Sequence, residues 1–403
     1  MGTEEQPKAV KVGKKSTIPA DLVFKMARTP GVLKRVLKAM WRKHVGINAD
    51  YNRPDGSSKP FQLISMRITN MCNHRCAVCA QWGETGYNLT RPGHEIRAAV
   101  PVKTYIKMID EVAKYHPMVY ITGGEPTYYP GLLDFIKHCK SKGLMVNIVT
   151  NGFRLAEMAD ELVRIGLDEI SVSLDGPKAM HDECRGLPGA YDLVVRAIQA
   201  VQAAKRKQHR VKPYILTITT VSKRNAAHLT EVMDDAAPLE PDLMAVYYSW
   251  FTSRERGEAH CQILKEHFED ANPIAWKGYV RLFPQNSIDE LKESVKKIKA
   301  PGYPHRVFFI PDVEIDKLED YYHDLGEMFG YKRCINPWLE VNIMPNGDVV
   351  PCRDHPDVVM GNVKQESLLS IYNNDKYRKF RRLLRDRGGL LPICARCCGL
   401  MGF

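Results

Sequence analysis

The sequence predicts an α/β fold: a partial (β/α)6 TIM-like barrel, preceded by an N-terminal helical extension and followed by a small C-terminal α+β module. Three observations carry this prediction. Between residues 61 and 250, short apolar runs of strand character alternate with segments of helical periodicity, the pattern of a parallel sheet covered by helices. Each of the earlier runs ends in glycine or polar residues, so the distinctive motifs fall at strand C-termini, where such barrels carry their active sites. After residue 330 the pattern changes to a short hairpin flanked by cysteines.

Taken in order, residues 61–68 read as a strand whose end delivers the cysteine-rich stretch 71–79. Residues 104–115 read as a helix, and 118–122 as a strand ending on Gly123-Gly124-Glu125-Pro126. A helix at 132–142 leads to a strand at 145–150 that ends at Asn151-Gly152. A helix at 155–165 leads to a strand at 169–174 that ends at Asp175-Gly176. After a helix at 191–205, residues 215–221 and 243–248 supply two more strands. The barrel pattern then lapses, and 251–330 reads as a helical linker or substrate cover with helices at 253–268 and 287–302. Its His260, Cys261 and His267, like Cys139 and Cys184, read as structural. The domains expected are therefore 1–60, 61–250, 251–330 and 331–403.

The chain of 403 residues carries a net charge of +11, and the charge is concentrated. Residues 1–60 contain thirteen Lys or Arg against five Asp or Glu, so the excess belongs to the extension. Within it, Leu33, Val36, Leu37, Met40 and Trp41 recur at helical spacing, with Lys34, Arg35, Lys38, Arg42 and Lys43 on the other face. Such a basic amphipathic helix packs on its own protein, lies on an anionic membrane surface through residues 22–45, or meets a partner. No apolar stretch is long enough to span a bilayer and no secretory signal is visible. Eleven cysteines in such a chain point to a reducing compartment and metal ligation, so the expected location is cytoplasmic, peripheral to the membrane if the helix engages lipid.

Cys72, Cys76 and Cys79 stand as C-x3-C-x2-C. Three thiolates so close can each hold a different iron of a cubane cluster, and with no fourth cysteine nearby one iron stays open for a ligand. On spacing alone a structural zinc remains an alternative.

The cysteine triplet after the first strand, GGEP after the second, TNG after the third and SVSLDG after the fourth together resemble the radical S-adenosylmethionine (SAM) enzymes. The resemblance implies that SAM chelates the open iron and that its reductive cleavage gives a 5'-deoxyadenosyl radical able to take hydrogen from an unactivated carbon. It also implies that Glu125 and the Gly123-Gly124 backbone hold the SAM amino group. Ser173 and Asp175 become candidates for the ribose or carboxylate, and Asn151 is a further contact. Arg185 either neutralises a carboxylate or forms a structural salt bridge. Val78 occupies a position that is usually aromatic in the family, so only its backbone is offered to adenine.

In the last segment, Cys334 followed by Gly347 and Cys352 gives C-x12-G-x4-C, with a hairpin turn at Asn346-Gly347, and Cys394-x2-Cys397 follows a helical stretch at 368–385. This set resembles the twitch module, a shortened SPASM domain. It implies a second 4Fe-4S cluster held by Cys334, Cys352, Cys394 and Cys397, with Cys398 able to replace Cys397. Zinc is the alternative occupant.

The reading that follows is a radical SAM enzyme acting on a small metabolite or lipid, with an electron donor such as flavodoxin or ferredoxin and the auxiliary cluster assisting electron transfer. The alternative is a peptide maturase of the same superfamily. A non-catalytic iron–sulfur or zinc protein that binds nucleic acid is remote, because the extension has one Trp and no interleaved aromatic pattern.

Overall fold

The computed structural model describes residues 40–401 together with Leu37. Ten strands form one sheet in the order β10-β9-β8-β1-β2-β3-β4-β5-β6-β7. Six of them are the expected barrel strands: β1 Leu63–Arg67, β2 Met118–Thr122, β3 Val146–Thr150, β4 Glu169–Ser173, β5 Tyr214–Thr220 and β6 Leu243–Tyr247. Each pairs in parallel with the next.

Alternation within the strands gives the sheet one apolar face and one face rich in polar side chains. Ile64, Met66, Val119, Ile121, Ile148, Ile170 and Val172 lie on one face, and all are buried in the main apolar core. The register aligns Ser65 with Tyr120 and Asn147 with Glu169 on the other face, where the strands carry polar side chains. The covering helices include α1 Val102–Val112, α2 Leu132–Ser141, α3 Leu155–Arg164 and α4 Ala190–Lys207, which present their buried apolar stripes to that core.

Two strands extend the barrel beyond its sequence-predicted limits. β7 Val307–Ile310 lies inside the segment read as a helical cover and pairs in parallel with β6. Its four residues Val-Phe-Phe-Ile are too few to show a period. β8 Glu340–Ile343 was expected only as one arm of the C-terminal hairpin with β9 Asp348–Val350, and the antiparallel hairpin is present. β8 also pairs in parallel with β1, so the cysteine module continues the barrel's own sheet. β10 Gly361–Asn362 completes that edge. The expected helices of the cover are α5 Arg254–His267 and α6 Gln285–Lys299. The stretch 368–385 divides into Leu368–Tyr372 and α7 Asp375–Asp386, because the Asn374 side chain caps the second helix by accepting from Tyr377 N.

The N-terminal extension is anchored at its C-terminal end. Ile47 and Tyr51 are buried, and the Tyr51 ring lies 4.6 Å from that of Trp338. Gly56, at φ +73°, passes so close to α7 that a Cβ there would stand 2.5 Å from the Arg378 carbonyl oxygen. Arg381 is fully buried between the rings of Tyr372 and Tyr377, donating to the carbonyls of Pro337, Gly56 and Tyr372. Leu37, Met40 and Trp41 are exposed, Trp41 to 59 %, so this described part of the predicted stripe does not pack on the body, and Val45 beyond it is exposed as well. The rest of the amphipathic segment lies outside the described residues. Among the described residues, no helix is long and apolar enough to cross a membrane.

Candidate active site

The loop after β1 is held from three sides. Arg75 N and Ala77 N donate to the carbonyls of Arg185 and Cys184, at the end of helix Lys178–Arg185. Gly124 N and Glu125 N donate to Thr69 O and Met71 O, both at 2.7 Å. A side chain at Gly124 would place Cβ 2.3 Å from Met71 O, so glycine there is what lets the second motif press against the cysteine loop. Glu125, 1 % exposed, braces the arrangement: Oε1 accepts from Thr127 N, Thr127 Oγ1 and Thr150 Oγ1, and Oε2 accepts from Asn151 N at 2.7 Å. Burial raises its pKa and these donors oppose the rise.

Donors converge on the three sulfurs. His74 N and Trp82 N each lie 3.4 Å from a sulfur, Cys72 Sγ and Cys79 Sγ respectively. Asn151 Nδ2 lies 3.8 Å from Cys72 Sγ and donates to Asn73 Oδ1 at 3.0 Å. Arg185 Nη1 lies 3.8 Å from Cys76 Sγ. Amide donors and a guanidinium around thiols suit an anionic iron–thiolate group, whose charge they offset. Without it, burial pushes the Cys72 thiol up to about 12 and that of Cys76 up to about 11. Among the described residues, no three His, Cys, Asp or Glu side chains converge on one point as a single ion requires. A cluster asks for less convergence, because each thiolate meets a different iron.

The other predicted contacts divide in two. Asp175 Oδ2 pairs with Arg185 Nη2 at 2.7 Å while its Oδ1 accepts from Thr220 N, so of the two roles weighed for Arg185 the salt bridge is present. The buried Asp175 carboxylate is thereby engaged within the protein. Ser173 is half-buried at the end of β4, and Val78 is half-buried in the turn closed by Cys79 N donating to Cys76 O. The Gly123 carbonyl accepts from Gln81 Nε2 at 3.0 Å.

Cys334, Cys352, Cys394 and Cys397 all line one pocket. Its other walls include Leu264, Phe380, Leu384, Leu391 and Ile393. Gly389, at φ +93°, leaves its Cβ position 2.4 Å from Arg333 Cβ and accepts at its carbonyl from Cys334 N, which places that cysteine. Four free thiols around one apolar pocket fit a fully thiolate-held cluster. The side chain of Cys398 lies outside what the structure describes.

Sequence reasoning missed the residues between the two cysteine sites. Tyr87 and Tyr279 pack together with Ala80, Ala275 and Trp250. Arg67, the last residue of β1, donates to the Tyr87 hydroxyl and to Arg353 O. Arg281 donates to Gly278 O, and Tyr279 Oη lies 3.4 Å from Asp354 Oδ1. Burial lowers the Arg281 pKa, and the nearby Cys79 opposes this. The one available signal was the crowding of charge in Arg353-Asp354-His355-Pro356-Asp357 directly after Cys352.

Comparison with known proteins agrees with this geometry. Residues 66–236 match the model of the radical SAM superfamily, and residues 334–398 match the SPASM iron-sulfur cluster-binding domain. The chain therefore carries a radical SAM domain and a SPASM domain, which make it an enzyme whose cofactors are a SAM-binding 4Fe-4S cluster, SAM and an auxiliary iron–sulfur cluster. It is 27 % identical over 346 residues to the AdoMet-dependent heme synthase of Methanosarcina barkeri, covering 83 % of this chain and 90 % of that protein. It is 26 % identical over 329 residues to the PqqA peptide cyclase of Gluconobacter oxydans, covering 78 % and 77 %. Among solved structures, SuiB of Streptococcus suis bound to S-adenosylmethionine shares the fold at a TM-score of 0.55 and 17 % identity, over 88 % of this chain and 77 % of that one.

Proposed function

We propose that this enzyme is a maturase: it removes hydrogen from an unactivated carbon of a carboxylate-bearing peptide or cofactor precursor. The observation that carries this reading is the wall between the two cysteine sites. Arg67 and Arg91 lie over the Tyr87 ring at 5.7 and 5.8 Å, Arg353 lies over Tyr120 at 5.2 Å, and half-buried Arg281 sits near Cys79. Guanidinium groups partly withdrawn from water favour planar anions such as carboxylates, which they bind bidentately. A hydrocarbon chain would gain little from them. Relatives named for heme synthesis and for peptide cyclisation align over most of their length, which supports these two substrate classes over the small metabolite or lipid expected from sequence.

With its cofactors bound, the first site supplies a 5'-deoxyadenosyl radical, and an electron donor of the flavodoxin or ferredoxin kind supplies the electron. The chain's own residues position and enclose. Glu125, Thr127, Thr150 and Asn151 fix the second and third motifs against the cysteine loop. Arg185 and Asp175 neutralise each other beneath Cys76. Trp250, Tyr279 and the arginines close the space between the sites against water.

Steady-state kinetics test the reading: Arg281→Gln raises KM for a carboxylate-bearing peptide or porphyrin at least ~10-fold, the loss expected for a charge-assisted pair, and changes kcat less. An unchanged KM for every carboxylate-bearing substrate, with turnover of a neutral lipid, would contradict it.

A further inference from the structure

Two histidines in the wall of the auxiliary pocket, with a buried aspartate behind one of them, have no role in the chemistry described so far. His260, on α5 of the cover segment, is 2 % exposed and lines the pocket alongside the four cysteines. Neither of its ring nitrogens has a hydrogen-bond partner within the protein. Asp357 is buried behind it, with Oδ2 3.5 Å from His260 Nε2 and likewise without a hydrogen bond, while its Oδ1 accepts from Ala275 N. His355, whose ring centroid is 6.0 Å from that of His260, also lines the pocket with Nδ1 unpartnered. Buried polar groups of this kind almost always have partners, and with Nε2 facing the Asp357 carboxylate the unpartnered Nδ1 at the edge of a cofactor pocket indicates that the cofactor is its partner.

We propose that His260, braced by Asp357, is a positioning residue of the auxiliary cluster, donating a ring N–H to one of its sulfurs and raising its reduction potential. The inference rests on the auxiliary cluster of the SPASM domain and is independent of the substrate. A cluster held by four thiolates is anionic and becomes more so on reduction, and the pocket's Leu264, Val358, Phe380, Leu384 and Ile393 do nothing to stabilise that charge. Hydrogen bonds to the sulfurs are among the levers that set such potentials. A ring facing a carboxylate on one side and an anionic cluster on the other satisfies both by donating from both nitrogens. This couples the cover segment, through α5, to the redox poise of the module it packs against.

The test uses full-length protein reconstituted with iron and sulfide, its first site emptied by Cys72→Ala, Cys76→Ala and Cys79→Ala so that only the auxiliary cluster is observed. Pulsed electron paramagnetic resonance of the reduced cluster should show hyperfine coupling to a histidine nitrogen, lost in His260→Phe. An EPR-monitored redox titration should give a lower midpoint for His260→Phe and an intermediate one for His260→Gln, which keeps a single donor. Absence of the nitrogen coupling overturns the proposal, as does an unchanged midpoint in His260→Phe with its iron retained. Should His260→Phe lose its iron, the parent's nitrogen coupling and the His260→Gln midpoint decide in the same sense. None of these readings involves substrate, so failure here is distinct from failure of the maturase assignment.

Discussion

Arg185 and Asp175 show how one ion pair serves the first site. Both are buried, and the arginine reaches from the carboxylate to within 3.8 Å of Cys76. Arg185→Met leaves the Asp175 carboxylate uncompensated and should destabilise the apoprotein by about 3–5 kcal/mol, measured by chemical denaturation. The sign of the pH dependence follows from burial, which raises the Asp175 pKa above its unfolded value. Its contribution is most favourable below the unfolded carboxylate range and is lost as pH rises through the folded value. Removing Arg185 raises that value further, so the deficit of Arg185→Met is larger at pH 7 than at pH 5, and a deficit independent of pH would refute the assignment. Among the site residues, Cys72, Cys76 and Cys79 were legible from spacing, and Cys334, Cys352, Cys394 and Cys397, which line one pocket, from the resemblance to the twitch module. The arginine–tyrosine wall was not legible, because Arg67, Arg281 and Arg353 come from three distant segments and carry no local pattern.

At the level of elements, buried arginines act as latches between segments. Arg396, inside the Cys394–Cys397 pair, is buried between Tyr321 and Phe329 and donates to the carbonyls of Tyr321, Asp324 and Glu327. It thereby ties the cover segment to the auxiliary cysteines. Arg396→Leu removes the donor from the buried Tyr321 carbonyl, at roughly 1–3 kcal/mol, and from two part-buried ones, so global stability falls and hydrogen exchange accelerates in residues 318–327 first; uniform exchange would contradict the latch. Arg381 and Gly56 hold the extension in the same way, and Gly56→Ala should cost about 1–3 kcal/mol, read as a lower midpoint of thermal unfolding. The six barrel strands were legible because each apolar run stops at a turn motif. β7 was hidden by its brevity. The pairing of β8 with β1 joins opposite ends of the chain, which local periodicity does not encode.

The whole molecule places two cysteine sites on one continuous sheet, one after β1 and the other around the β8–β9 hairpin, with an arginine and tyrosine wall between them. Since β8 pairs directly with β1, the distance between the sites is fixed by strand pairing and not by a hinge. Anaerobic reconstitution should load roughly eight irons, falling to about four when Cys72, Cys76 and Cys79 become Ala; retention of eight would remove the first site from the account. The measurement that tests the central claim most directly is the formation of 5'-deoxyadenosine by the reduced, reconstituted enzyme. Carboxylate-bearing peptides, carboxylated porphyrins and neutral lipids would be supplied in parallel. Stimulation by a carboxylate-bearing peptide or porphyrin is expected, and weaker stimulation in Arg281→Gln at the same subsaturating concentration. Stimulation by the lipids alone would contradict it.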